Sequence, residues 1–594
     1  MWPGRPPAAD RRRTTSVMRE SCIADPGVYY RRKTVCYAPA AIAHRASRGS
    51  YHMRPIAEIA ATMGLGWDRL EPYGRDKAKV PLELFPESSN PGHLVVVTAI
   101  TPTPAGEGKT TTTLGLVDGL NKVGKRAVAA IRQPSLGPLF GRKGGGTGGG
   151  RATAEPGVDI NLHFTGDFHA IESAHNFLAA MADNAVREGM VRGFSPANVT
   201  WRRVTDAEDR ALRRVVIGVG GAADGPLRET GYDISAASEI MAIVALAQDY
   251  EDLRKRLSDI VVGWTDQRVP VTAGEIKAVG SMMVLLKDAL KPNIVQTQEG
   301  NPVVVHAGPF GNIAHGCSSI IADRLARASG DYVVTEAGFG ADLGFQKFMD
   351  IKVRQGGAKP SAAVIVATVR GLKWHGGIEM KDMAAANVEA VHQGSANLRH
   401  AIQIVNRYGL PAVVAINRFP DDHPDEIAEL QRAALEAGAL AAVEAKGFAE
   451  GGDGMRDLAD AVVQAVEGGT ANVQLLYRDE DSITTKVETA AKHLFMAGDV
   501  SWGPLTRTTA KRFEDNGWDF PICVAKTHLS ISANPRLRGA PEGHTFPVME
   551  FRIAAGARQI ICLAGEIMTL PGLPGDPNAF GIDLTPDGRA VGLL

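Results

Sequence analysis

The sequence predicts a multi-domain α/β protein, with parallel sheets flanked by helices and a phosphate-loop nucleotide domain. Three observations carry this. Short β-rich runs alternate along the chain with longer helical patterns. A glycine-bearing loop, TPTPAGEGKTTTTLGL (101–116), stands between one such run and a helix. The body of this 594-residue chain is too long for one core, so two or three domains are expected.

The first 52 residues stand apart. Arg11, Arg12, Arg13, Arg19, Arg31, Arg32 and Lys33 face only Asp10, Glu20 and Asp25, and no apolar stretch of signal-peptide type occurs. A transit peptide is basic and acid-poor in this way. A disordered basic tail, or a start assigned too early with Met53 as the true first residue, accounts for the same composition and is the reading adopted. MRPIAEIAATMGL, from Met53, has the spacing of an amphipathic first helix.

The strands follow in order. HLVVVTAI (93–100) reads as a buried strand, followed by the loop and a helix through TTTLGLVDGLNKVG. RAVAAIRQP (126–134), RRVVIGVGG (213–221), PVVVHAG (302–308), DYVVTEAG (331–338), AAVIVATVRG (362–371) and PAVVAINRFP (411–420) read as further strands. Residues 384–409 form a long helical pattern, and Thr205 with Glu208 has the spacing of a helix-opening capping box. KGGGTGGG (143–150) reads as a flexible glycine linker.

Composition excludes several classes. With 44% hydrophobic and 22% charged residues and a net charge of −1, nothing draws the whole protein to nucleic acid or an anionic membrane. No apolar run approaches the ~20 residues that span a bilayer. Five cysteines without a CxxC pair suggest neither a zinc knuckle nor a disulfide framework. A reducing, cytoplasmic setting is expected. His163, His169, His306, His315 and His375 lack metal-ligand spacing and read as structural.

The loop is the chemical signal. Thr103, Pro104, Ala105, Gly106, Glu107, Gly108, Lys109 and Thr110 are expected to bind ATP, although Thr103 stands where a phosphate loop usually begins with glycine. Backbone N–H groups from Ala105 to Thr110 would face phosphate oxygens at a helix N-terminus. Lys109 would neutralise them, and the Thr110 hydroxyl would sit on the Mg²⁺ that accompanies ATP. The loop alone leaves two readings open: a ligase that activates its substrate with ATP, or a switch ATPase that acts on a protein partner.

The loop and its neighbours resemble the formate–tetrahydrofolate ligase family. The blocks that carry the likeness, in order, are ITPTPAGEGKTTTTLGL (100–116), RQPSLGPLFGRKGGGTGGG (132–150), DINLHFTGDFHAI (159–171), TGYDISAASEIMAI (230–243), VHAGPFGNIAHGCSS (305–319), TEAGFGADLG (335–344), VATVRGLKWHGG (366–377), AINRFP (415–420) and GEIMTLPGLP (565–574). They cover about residues 53–594.

The resemblance implies a reaction in which formate, ATP and tetrahydrofolate give 10-formyltetrahydrofolate, ADP and phosphate through formyl phosphate. It implies residues 53–360 as the nucleotide and formate-activating region and 361–594 as the folate-binding region. It implies Arg132 as the clamp on formate and formyl phosphate, and Asp167 as general base or as the group that steers Mg²⁺. Phe419 and Phe448 are implied as the folate platform. Phe448 stands where the family has Trp.

Gln133 replaces the usual glutamate, which puts a monovalent-cation site in doubt. Arg151 and the pair His528-Leu529 are further departures. A homotetramer is implied, and an inactive homologue of the ligase is the remaining alternative.

Overall fold

The computed structural model describes residues 53–104 and 106–593. The basic N-terminal stretch and Ala105 lie outside the described residues.

The centre is one twelve-stranded sheet. Seven of its strands run parallel: β1 (His93–Ala99), β2 (Ala127–Ile131), β3 (Pro302–Val305), β4 (Tyr332–Glu336), β5 (Ala362–Ala367), β6 (Ala412–Asn417) and β7 (Ala441–Ala445). Their spatial order is β3-β2-β4-β1-β5-β6-β7. The strand Asn293–Thr297 adds to the edge beside β3, antiparallel to it. The boundary expected at residue 360 falls between β4 and β5, so strands from both sides of it share this one sheet.

These strands read as continuous apolar runs because both faces are covered. Leu94 and Val96 of β1 pack into one hydrophobic cluster with Val128, Val333 and Ile365, and Val95 and Val97 pack into another with Ala129, Val334 and Val364. A side-chain period of two puts neighbours on opposite faces. Each fully buried Val or Ile contributes roughly 1.5–3 kcal/mol.

Helices supply the covers. The helix α1 (Lys109–Lys122) follows β1, α2 (Asp167–Arg187) lies in a separate cluster, and α3 (Val369–His375) and α4 (Val388–Arg407) follow β5. The expected first helix is formed over Ile56–Thr62, with Ile56, Ile59 and Ala60 buried. No helix among the described residues is long and apolar enough to cross a membrane.

Three local expectations fail. RRVVIGVGG contributes only Val215–Ile217, half of a two-stranded hairpin apart from the central sheet. The capping box at Thr205 and Glu208 does not form. Thr205 ends a short strand, and Asp209 caps the next turn by accepting the Ala211 N–H at 2.9 Å. The four-residue pattern matched, but no α-helix follows it.

The glycine run, finally, is packed and not a linker. A Cβ at Gly148 would stand 2.3 Å from the Ala152 carbonyl oxygen, and one at Gly150 would stand 2.1 Å from the Phe448 carbonyl oxygen. Glycine is used here for close backbone approach, in positive-φ conformations of 84° and 63°.

Candidate active site

The parallel strands all end on one edge, which is where open α/β sheets bind ligands. The phosphate loop leaves β1 there, Arg132 leaves β2, and His306–Pro309 leave β3. Glu336 is the last residue of β4. Thr368 and Arg370 follow β5, Asn417 and Phe419 close β6, and Phe448 follows β7 on the short helix α5 (Gly447–Glu450).

The loop adopts the path its glycines allow. Gly106 and Gly108 have φ of 77° and 78°, and Gly108 immediately precedes Lys109, the first residue of α1. Glu107 points inward, 2% exposed. Its carboxylate accepts the Thr103 N–H at 2.9 Å and the Thr368 hydroxyl at 2.6 Å. Asn417 donates to the Glu107 carbonyl at 3.0 Å. Glu107 is thus a brace of the loop.

The Gly106 N–H is also spoken for, by the Thr103 carbonyl at 3.0 Å. The donors left facing outward narrow to the helix N-terminus around Gly108, Lys109 and Thr110, where backbone N–H groups have no intrahelical partner.

Three expected residues converge on a fourth that the motif reading passed over. Thr110 Oγ1 donates to Glu336 Oε2 at 2.9 Å, and Arg132 Nη2 lies 3.8 Å from Glu336 Oε1. Burial lowers the Lys109 pKa, Glu336 and Glu107 pull it back up, and Arg132 and Lys143 push it down. Arg132 is held by Nη1 donating to the Pro309 carbonyl at 3.2 Å, while its buried Nε has no partner among the described residues. Glu336 lay inside the quoted block TEAGFGADLG, and a charged residue closing a strand run was its available signal.

Asp167 is elsewhere in this network. It is the first residue of α2 and 2% exposed. One oxygen takes Lys79 Nζ at 2.6 Å and the other takes Asn293 Nδ2 at 2.8 Å. Both oxygens are therefore engaged, with a buried lysine as counter-ion.

The two aromatics occupy neighbouring strand ends. Phe419 is half-buried, with the Arg370 guanidinium 4.1 Å from its ring centre and Arg370 paired to Asp421 at 2.7 Å. Phe448 is 60% exposed, beside the glycine run, and its carbonyl accepts the Arg151 N–H at 2.9 Å.

His528, noted only as a departure, stacks on Phe339 with ring centres 4.8 Å apart. Burial and the charges of Lys143, Lys526 and Lys109 push its pKa down to about 4, so it is neutral. His306 and His375 are buried and hydrogen-bonded, to Ser319 and the Ala289 carbonyl and to the Thr101 carbonyl respectively. Gln133 is 2% exposed, and neither amide atom has a partner among the described residues.

A cavity of about 570 Å³ lined by Arg202, Arg228, Trp264 and Arg512 includes none of the loop residues, Arg132 or the two aromatics. Position at the strand ends, and not cavity size, marks the site.

A profile of the family Formate–tetrahydrofolate ligase matches residues 41–594. The chain belongs to the formate–tetrahydrofolate ligase family. Among curated relatives, the formate–tetrahydrofolate ligase of Rhizobium johnstonii is 52% identical over 544 residues, covering 91% of this chain and 97% of the relative. That of Paracoccus denitrificans is 53% identical over 543 residues, covering 91% and 98%. That of Ruegeria sp. is 52% identical over 543 residues, covering 91% and 97%.

Proposed function

We propose that this chain joins formate to tetrahydrofolate at the expense of ATP, giving 10-formyltetrahydrofolate, ADP and phosphate. The observation that carries the reading is the convergence of Lys109, Thr110 and Arg132 on Glu336 at adjacent strand ends. Formate is a poor electrophile, since its charge is shared over two oxygens and it has no leaving group.

Attack of a formate oxygen on the γ-phosphorus of ATP forms the P–O bond of formyl phosphate and releases ADP. The N10 amine of the folate then attacks the formyl carbon, phosphate leaves with the C–O bonding pair, and the amine proton is lost. Phosphoryl transfer of this kind is positioning plus charge stabilisation.

Lys109 and the N–H groups at the start of α1 would hold the phosphates. Arg132 would hold formate and then formyl phosphate, since its planar fork suits both anions and part of it lacks a protein partner. Mg²⁺ arriving with ATP would meet the Thr110 hydroxyl and the Glu336 carboxylate, hard oxygen donors side by side, and would neutralise phosphate charge. Asp167 we assign to holding the architecture through Lys79 and Asn293. Phe419 and Phe448 would bracket the flat pterin. Gln133 offers an uncharged amide where a carboxylate would attract a monovalent cation, so no such cation is assigned. A cytoplasmic homotetramer completes the reading, on the family resemblance alone, and sedimentation of the purified chain tests the assembly.

The deciding experiment follows ATP cleavage and acid-generated methenyl-tetrahydrofolate absorbance with each substrate omitted in turn. Product that needs all three substrates, and is lost in Lys109→Ala and Arg132→Ala, is expected. ATP cleavage indifferent to formate and folate would overturn the reading and favour a switch ATPase.

A further inference from the structure

The glycine run that packs against α1 begins with Lys143. We propose that Lys143 is a third cationic ligand of the group transferred between ATP and formate. This rests on the ligase reading and adds to it a residue that the phosphate loop and Arg132 do not supply.

The placement makes the case. The Lys143 ammonium lies 5.9 Å from the ring centres of both Phe310 and Phe339. Each ring is next in sequence to a residue that borders the formate clamp. Pro309 accepts from Arg132 Nη1 at 3.2 Å, and a Cβ at Gly338 would stand 3.8 Å from that same nitrogen. Lys143 therefore leans over the two aromatic residues that frame Arg132.

It has no carboxylate within 4.0 Å among the described residues, whereas Arg132 has Glu336 at 3.8 Å. Lys143 is an exposed residue, so an anion can reach its ammonium from solvent. The positive charges of Arg132 and Lys143 both bear on Lys109. Crowding by the protein and the charge of Arg132 pull the Lys143 pKa below the ordinary lysine value, with Glu208 opposing weakly. Glu336 stands beside Arg132 and offsets Lys109, while no carboxylate within 4.0 Å among the described residues meets Lys143, so an anion bound beside Arg132 would complete the arrangement. The anion common to Lys109 and Arg132 is the phosphoryl group in transit to formate.

The test uses the full chain with Lys143→Met, which keeps the apolar stem over the rings, and Lys143→Arg, which keeps the charge. In steady state, Lys143→Met should lose roughly 10- to 100-fold in kcat/KM for formate, the worth of one charge-assisted contact. Its KM for ATP should stay within about threefold, and Lys143→Arg should recover most of the loss. A purely structural role would move all parameters together and would not respond to the conservative variant.

A second readout needs no turnover. Calorimetric binding of inorganic phosphate in the presence of ADP should weaken about tenfold or more in Lys143→Met. Formate kinetics and phosphate affinity equal to those of the parent overturn the inference. Failure of the parent itself to make the folate product sinks the ligase reading instead, and the phosphate measurement still decides Lys143.

Discussion

Replacing Gly108 by alanine puts the loop geometry at stake. Gly108 has φ of 78°, a left-handed conformation that costs a side-chain-bearing residue about 1–2 kcal/mol. The new Cβ would also stand 2.3 Å from Asn417 Nδ2, about 1 Å inside the limit of ordinary contact. Asn417 is the residue that donates to the Glu107 carbonyl at 3.0 Å, so relief of the clash sacrifices that bond, worth roughly 0.5–1.5 kcal/mol.

The sum is about 1.5–3.5 kcal/mol, and it falls on the turn that aims the first N–H groups of α1. A shift of about 1 Å at that point is expected to cost roughly 100-fold in turnover. The assay is ATP affinity by calorimetry together with formate- and folate-dependent turnover, for Gly108→Ala, Asn417→Ala and the double variant. Asn417→Ala removes the obstacle but not the backbone strain, so the double variant should regain only part of the loss. Gly108→Ala that binds ATP with parental affinity and turns over within threefold would refute the assignment of this turn as the phosphate cradle.

Three other outcomes are expected. Asp167→Asn should destabilise the fold by about 3–5 kcal/mol, because Lys79 is left charged and buried without its counter-ion; Asp167→Asn with Lys79→Met should recover part of this in denaturant melts. Asp118 accepts from Thr297 and Asn301 in a buried spot that pushes its pKa up to about 7. Its folded pKa exceeds the unfolded one, so its contribution is full below about pH 4 and is lost as pH rises through about 7; thermal melts from pH 5 to 9 should show a decline that Asp118→Asn flattens. Phe448→Trp should tighten tetrahydrofolate binding several-fold in a fluorescence titration, with little change in melting temperature, since position 448 is 60% exposed and a larger ring stacks over more area.

Much of this was written locally in the chain. The apolar runs that became β1 to β6, the glycines that shape the turn before Lys109, and the helix that follows are set by neighbours within a few residues. Spacing and turn chemistry report such elements directly. The positions of Lys109, Arg132 and Phe419 at strand ends also follow once each strand is recognised, because a loop after a strand can only begin where that strand stops.

Other features had no local signature. Glu336 meets Thr110 across 226 residues of chain, and Asp167 meets Lys79 across 88. The first pairing exists because β4 lies between β2 and β1, and the second because the short strand that carries Lys79 pairs with Asn293–Thr297, arrangements decided by how the whole sheet packs and not by any window of sequence. The inward turn of Glu107 depends on Thr368 at the end of β5, and the rigidity of the glycine run depends on Phe448 after β7. Sequence by itself determined which residue types carry the chemistry and on which elements they ride. Tertiary structure alone decided which of them face one another, because a side chain's charge, burial and hydrogen bonds are properties of the neighbours that folding brings to it.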